Sequence, residues 1–328
     1  MTFRRYIIKR VATAFLALYI ALTVIFLILR VLSPVKDPTI LISDPNFPEW
    51  RKEELRHMWG LDRPLYEQYF VYMYNLITWQ YGISFETPPK HIAPEMGWRL
   101  VNTLSLLATS TLLSIIMGIV LGVFAASRRG KKTDVLVTSI GLFSWGTPQF
   151  FIQMVFILFF SYYLRIFPSV GVVDVGRYDS FLALFLNVAW HAVLPIITLT
   201  ISGLGFWVIY TRNLMVDILT QDYIMTAYAK GVKGRTVLFS HAFRSIIPQV
   251  ATVIVNHFPS ILSGSVVTEM LFSWPGIGQW YLDALFSGNQ PVTWAITYNY
   301  AFLVVMGFLL MDILYGFLDP RIRVGVRR

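Results

Sequence analysis

The sequence predicts an all-α integral membrane protein of six transmembrane helices, and three observations predict it. Of 328 residues, 56% are hydrophobic, 16% aromatic and only 14% charged, where a soluble domain carries roughly 25% charged residues. The mean hydropathy is +0.60 over the whole length, more apolar surface than one water-soluble core can hide. Six apolar runs near the roughly 20 residues a bilayer requires follow one another, at 11–32, 101–126, 135–164, 190–210, 248–271 and 294–318. Disorder is excluded by the same composition. The absence of cysteine excludes disulfides, thiolate metal sites and a cysteine nucleophile.

Taken in order, the first run follows Arg4, Arg5, Lys9 and Arg10. It is too long for a signal-peptide core and no small-residue cleavage site follows, so it reads as an uncleaved first span, residues 1–32, with a cytoplasmic N-terminus. Residues 33–100 form the one sizeable water-exposed region and mix seven basic with nine acidic residues. Within it, 50–59 reads as a short charged helix. The aromatic-rich stretch 65–79 reads as an amphipathic helix that contacts a partner, forms an extracellular cap or anchors at the interface. Residues 101–328 then hold five spans. The third run is long, with a kink expected at Gly146-Thr147-Pro148.

Charge sets the orientation. Of 27 Lys and Arg residues, 17 fall in the two termini, the 128–132 turn and the 211–247 connection, while 273–293 has none. Basic residues accumulate on the cytoplasmic side, so both termini are cytoplasmic. The net charge of +9 is thereby explained by topology, without nucleic acid.

The 211–247 connection is long for a membrane turn. It reads as short helices at 214–219 and 222–231, with Asp222 capping the second and Gly231 ending it. Val237, Phe239, Ala242 and Phe243 continue an apolar stripe among basic residues. Such a segment is either a solvated loop or an amphipathic docking element for a partner protein.

Several chemistries are missing. The nearest approach to a phosphate-cradling loop, Ala125 to Lys132, lacks the first glycine and the terminal hydroxyl. Gly203-Leu204-Gly205 and Gly276-Ile277-Gly278 lack the third glycine of a dinucleotide fingerprint. His57, His91, His191, His241 and His257 show no ligand spacing. The chain is therefore not expected to be an enzyme.

Asp222 to Gly231, followed by Leu238-Phe239-Ser240-His241-Ala242-Phe243-Arg244 and Pro248, resembles the cytoplasmic loop of ABC-importer permeases of the dipeptide/oligopeptide/nickel class. Met225-Thr226-Ala227 stands where the general permease motif has Glu-Ala-Ala, a departure usual in the oligopeptide class. Gly60-Leu61-Asp62-Arg63-Pro64, Asn102-Thr103-Leu104, Arg128-Arg129-Gly130, Glu269 to Gly278 and Leu318-Asp319-Pro320-Arg321 match the same class in order over nearly the whole chain, as its first permease subunit.

The resemblance implies a type I ABC importer architecture. It also implies a second homologous permease, two cytoplasmic ATPase subunits that carry the ATP and Mg, and an extracellular binding protein. No cofactor is implied in this chain. Asp222, Tyr223, Tyr228, Ala229, Lys230 and Gly231 become the candidates for ATPase coupling. The translocation path calls for polar groups facing the bundle interior. Asn256, Ser260 and Ser263 share one helical face, with His257 one step round, and Trp145, Gln149 and Gln153 recur at fours. Each set either lines the path or serves as helix–helix glue.

Glu269 belongs to an outer gate or sits at headgroup level. Asp312 pairs near the cytoplasmic surface, and His191 is a satisfied helix-end histidine. Cargo is expected to be a dipeptide or oligopeptide, with oligosaccharides (cello- or xylo-oligosaccharides) the alternative and nickel behind both. An ion-driven secondary transporter is the remote rival, and it lacks the internal repeat such folds show.

Overall fold

The computed structural model describes residues 3–32, 39, 48–58, 60–86, 90–174, 176, 178–262 and 266–318. Among them there is no strand, only one isolated bridge between Ile83 and His91. The helices are α1 (Phe3–Phe26, continued by wider π-helical turns over Leu27–Leu32), α2 (Glu49–Met58), α3 (Leu65–Thr78), α4 (Ile92–Ser127), α5 (Lys132–Gly146) and α6 (Gln149–Phe156, with π-helical turns over Ile157–Tyr163). Then come α7 (Phe181–Leu219), α8 (Asp222–Ala229), α9 (Gly234–Thr236, with π-helical turns over Val237–Phe243), α10 (Arg244–Leu262), α11 (Val266–Leu271), α12 (Ile277–Phe286) and α13 (Gln290–Leu318). Five are long and apolar enough to cross a membrane, or six when α5 and α6 count as one broken span. The all-α expectation agrees with this; the fifth run, expected at 248–271, is corrected to a span over Gly234–His257, and the fourth, expected at 190–210, lies within the longer α7.

Residues 1–103, 262–269 and 275–328 form one compact unit, and 104–261 with 270–274 form another. In the first, α1 lies along α13: the Tyr6 hydroxyl donates to the Asp312 carbonyl (2.9 Å) and Arg10 pairs with the Asp312 carboxylate at 3.2 Å. Asp312 is thus ion-paired, as expected. A second apolar cluster, Ile92, Met96, Trp280, Val292 and Ile296, is buried around Tyr81. Burial pushes the Tyr81 phenol up to about 12, and its oxygen accepts a hydrogen bond from the Asn299 amide at 2.8 Å.

In the second unit α7 is the central element. Its 39 residues span about 58 Å at 1.5 Å per residue. The segment 214–219 is therefore the end of α7 and not a separate helix, because nothing between Tyr210 and Leu219 interrupts its hydrogen bonding. Small residues let neighbouring helices close on it. A Cβ on Gly205 would overlap the Gly141 carbonyl of α5, and one on Gly122 of α4 would lie 2.8 Å from the Val208 carbonyl. The Ser114 hydroxyl donates to the Thr200 carbonyl (2.9 Å) across the same contact.

At the α4–α5 turn, Asp134 is buried and takes a two-pronged ion pair from Arg212 Nε and Nη2, both 2.8 Å, plus the Gly130 N–H at 3.0 Å. Breaking such a buried pair typically costs 3–5 kcal/mol.

The expected kink is a break. Thr147 before Pro148 is held extended, and the axes of α5 and α6 differ by 102°. Trp145, Gln149 and Gln153 therefore do not share a face, because the fourfold spacing runs across two helices.

Replacing Gly205 by alanine forces α5 and α7 apart and is expected to destabilise the chain by about 1–3 kcal/mol. Gly97→Ala, with nothing within 4 Å of the new methyl group, is expected to leave the chain as stable or more so. Thermal unfolding of the two purified variants in one detergent checks this; equal losses would refute the close-packing account.

Candidate functional site

Two arrangements stand out: an exposed short helix and a buried carboxylate at a helix start. The first is α8. Ile224 and Ala227, three residues apart on one face, are buried in a cluster with Met215, Val216, Val237, Ala242, Ile246 and Val250. At its C-terminus the Gly231 N–H donates to the Tyr228 carbonyl (2.9 Å) and the Val232 N–H to the Ala227 carbonyl (3.2 Å). That pair is a Schellman ending, and Gly231 takes the left-handed conformation it requires, with φ +75°. Gly231 ends the helix as expected. Asp222 does not cap it: Gln221 occupies the cap position and Asp222 is the first helical residue. There its charge favours the positive helix end.

The rest of α8 faces outward. Tyr223 is 48% exposed, Tyr228 47% and Met225 61%, with Ala229, Lys230 and Gly231 exposed beside them. The Tyr223 hydroxyl donates to Ser245 Oγ at 3.2 Å, and the Ser245 hydroxyl donates to the His241 carbonyl at 2.8 Å. Chemically, the surface offers two phenols, a thioether and one cation on a helix too well anchored to rearrange cheaply. Met225 is a member that sequence reasoning left out; its exposure follows from the Ile224/Ala227 periodicity. Along the π-helical turns, Val237 and Ala242 are buried while Phe239 is exposed, so the stripe expected there is divided between two faces.

The second arrangement centres on Glu269 in α11. Its side chain is 2% exposed, so the carboxylate is held inside the protein. The Thr103 hydroxyl donates to Glu269 Oε1 (2.6 Å), the Gln279 N–H donates to Oε2 (2.9 Å), and the Ile277 N–H donates to Thr103 Oγ1 (2.9 Å). A helix start leaves its first N–H groups without internal partners. Here Thr103 and Glu269 satisfy those of Ile277 and Gln279, and the negative charge favours the helix N-terminus. The glycines make room: a Cβ on Gly276 would overlap the carboxyl group, and one on Gly278 would lie 3.0 Å from Oε2. The sequence signal for this was an acid six residues before a Pro-Gly-x-Gly helix start.

The remaining candidates are scattered. Trp145 is exposed and meets the edge of Phe206 at 6.0 Å, Gln149 is half-buried and Gln153 is fully buried. His257 packs on the rings of Phe206 and Trp207 at 5.2 and 5.3 Å, whereas Asn256 beside it is exposed. The side chain of Ser260, and Ser263 with its neighbours Gly264 and Ser265, lie outside the described residues. His191 lies well inside α7, which corrects the helix-end placement. It is buried, its Nδ1–H donates to the Asn187 carbonyl (2.9 Å), and its Nε2 stands 3.5 Å from Asp174 Oδ1.

Membrane-length helices joined by a connection that carries an exposed short helix are the architecture of a multi-pass membrane subunit. The chain belongs to the family of binding-protein-dependent transport system inner membrane components, which matches residues 118–324; the N-terminal family of the same components matches residues 3–113. It is 34% identical to the oligopeptide transport system permease protein AppB of Bacillus subtilis over 97% of this chain and 98% of that protein. It is 32% identical to the glutathione transport system permease protein GsiC of Escherichia coli over 97% and 98%. With the dipeptide transport system permease protein DppB of Lactococcus lactis it shares 28% identity over 98% and 99%. The motif resemblance to ABC-importer permeases is thus a family membership.

Glu269→Ala leaves buried donors at α12 without an acceptor, a cost of about 1–3 kcal/mol. Amide hydrogen exchange over 277–279 is expected to accelerate in that variant, and Glu269→Gln, which keeps one acceptor oxygen, to fall between it and the parent. Unchanged exchange in Glu269→Ala would remove the capping role.

Proposed function

We propose that this chain is one of two homologous permease subunits of an ATP-driven, binding-protein-dependent importer of dipeptides or oligopeptides, with both termini in the cytoplasm. Each permease docks one cytoplasmic ATPase subunit, which carries the ATP and Mg. An extracytoplasmic binding protein delivers cargo to the path between the permeases. The observation that carries this reading is α8. A helix buried on one face, closed by a tight turn and apolar-aromatic on the other fits a groove in a partner. The excess of Lys and Arg in the termini and the 211–247 connection supports the orientation, and the peptide-named relatives support the cargo.

Coupling requires that the contacts of α8 with the ATPase differ in free energy between the two ATPase states. Tyr223, Met225, Tyr228, Ala229 and Lys230 make those contacts. The rigid Ile224/Ala227 base converts ATPase movement into movement of α7 and α10, on which it sits. Gln149, Gln153 and Asn256 are read as path-lining, His257 as packing glue, and Glu269 as a positioning residue that holds α12 at the outer gate.

ATP hydrolysis by the reconstituted complex of both permeases, the ATPases and the binding protein is expected to rise with a peptide mixture and not with short oligosaccharides. Stimulation by sugars alone would overturn the cargo. Met225→Asp, a fully surface change, is expected to keep basal ATP hydrolysis while lowering peptide uptake at least about tenfold, which corresponds to a coupling loss of about 1.4 kcal/mol. Lys230→Glu and Gly231→Arg are expected to act likewise, the latter also straining a left-handed residue by about 1–2 kcal/mol. Unimpaired uptake in all three would sink the docking assignment.

A further inference from the structure

Helix α3, in the segment read from sequence as a water-exposed region, lies against membrane-spanning helices. The hydroxyls of Tyr69 and Thr23 are 2.8 Å apart and hydrogen-bonded. The rings of Tyr69 and Tyr72 each stand 5.3 Å from that of Phe26, and Tyr72 meets Tyr298 of α13 at 4.2 Å. Met73 and Leu76 share an apolar cluster with Leu22, Ile25 and Leu29 of α1 and with Trp294 of α13. These α1 residues lie inside the apolar stretch Arg4–Leu32. Thr23 is nine residues from Leu32, about 13 Å along a helix, against a hydrocarbon half-thickness of about 15 Å.

The opposite face of α3 is apolar too. Tyr66, Phe70, Tyr74 and Ile77 fall within ~80° on the helix, and each is 60–80% exposed. None is charged. The polar residues Gln68 and Asn75 are turned elsewhere, into a small cleft they line with Arg30, Tyr72 and Tyr298.

We propose that α3 is a membrane-embedded helix whose Tyr66, Phe70, Tyr74 and Ile77 stripe lies against lipid acyl chains of the leaflet around the Leu32 end of α1. Depth and continuity argue for lipid as the occupant. The stripe sits beside α1, whose Ile20, Val24, Leu27 and Ile28 are likewise exposed and apolar, and it extends that lipid-facing surface sideways. A docking face for a soluble protein would carry a polar rim all round, whereas the four stripe residues are uncharged and the one carboxylate at their edge, Glu67, is taken up by the Tyr66 hydroxyl at 3.2 Å. The inference is independent of the cargo carried.

The chain has no cysteine, so single nitroxide labels are direct probes. Phe70→Cys, Tyr74→Cys and Ile77→Cys would be labelled in the assembled transport complex in lipid nanodiscs, with Ile20→Cys on α1 as the lipid reference and Glu53→Cys on charged α2 as the water reference. Labels on α3 are expected to collide with dissolved oxygen and to lose broadening by a water-soluble nickel chelate, as at Ile20. Two results overturn the proposal. Nickel broadening like that at Glu53, lost on adding the binding protein, would make the stripe a face for that soluble partner. Protection from both reagents would mean that another protein chain covers it.

Discussion

Hydrocarbon offers no partner to a backbone N–H or C=O, and the architecture of this chain follows from that constraint. Helices answer it along their length, so the informative places are where a helix starts or stops. At each of three, a side chain supplies what the backbone loses. Asp134 receives Gly130 N–H and Arg212 at the α4–α5 turn. Glu269 and Thr103 receive the first N–H groups of α12. The Thr147 hydroxyl donates to the Phe143 carbonyl (2.6 Å) at the end of α5, where the chain breaks before Pro148. The few acids within or beside the spans are used as caps and locks, which is why they formed no proton path or metal cluster on paper.

The same logic explains the shape of α8. Eight residues are too few for a stable helix on their own. Burying Ile224 and Ala227 and closing the end at Gly231 fix the helix from one side and leave the other free. The proposed coupling role would use that combination: a stiff base transmits displacement, and an apolar-aromatic outer face holds a contact. The packing of α4 and α5 onto α7 through Gly122 and Gly205 gives the base a firm support within its unit.

Much of the fold was legible because period and length carry it. Long apolar runs have one physical meaning in a bilayer, and Gly231 as the end of α8 could be read from the residue type alone. What escaped depends on contacts distant in sequence. Glu269 reads as an outer-gate or headgroup-level acid, and its capping of α12 is invisible until Thr103 and Gln279 are seen around it; Gly276-Ile277-Gly278 reads as a failed cofactor loop until the carboxylate explains the missing side chains. The Trp145, Gln149 and Gln153 spacing assumed a continuous helix, and Pro148 ended it. The 214–219 segment seemed separate because polarity rose there, yet α7 simply runs past its apolar stretch. Residues 65–79 read as an amphipathic helix whose use stayed open between partner contact, cap and interfacial anchor; their contacts with Thr23 and Phe26 set the helix against α1.

The measurement that tests the central claim most directly is site-specific cross-linking from α8. A single cysteine at Ala229, in a chain that has none of its own, would be joined by a short bifunctional reagent to cysteines introduced along the ATPase surface of the assembled importer. Our account predicts adducts to one ATPase subunit whose yield changes when ATP is added, since coupling demands contacts that differ between its states. Absence of adducts at every ATPase position, in a complex that still hydrolyses ATP in response to cargo, would contradict it.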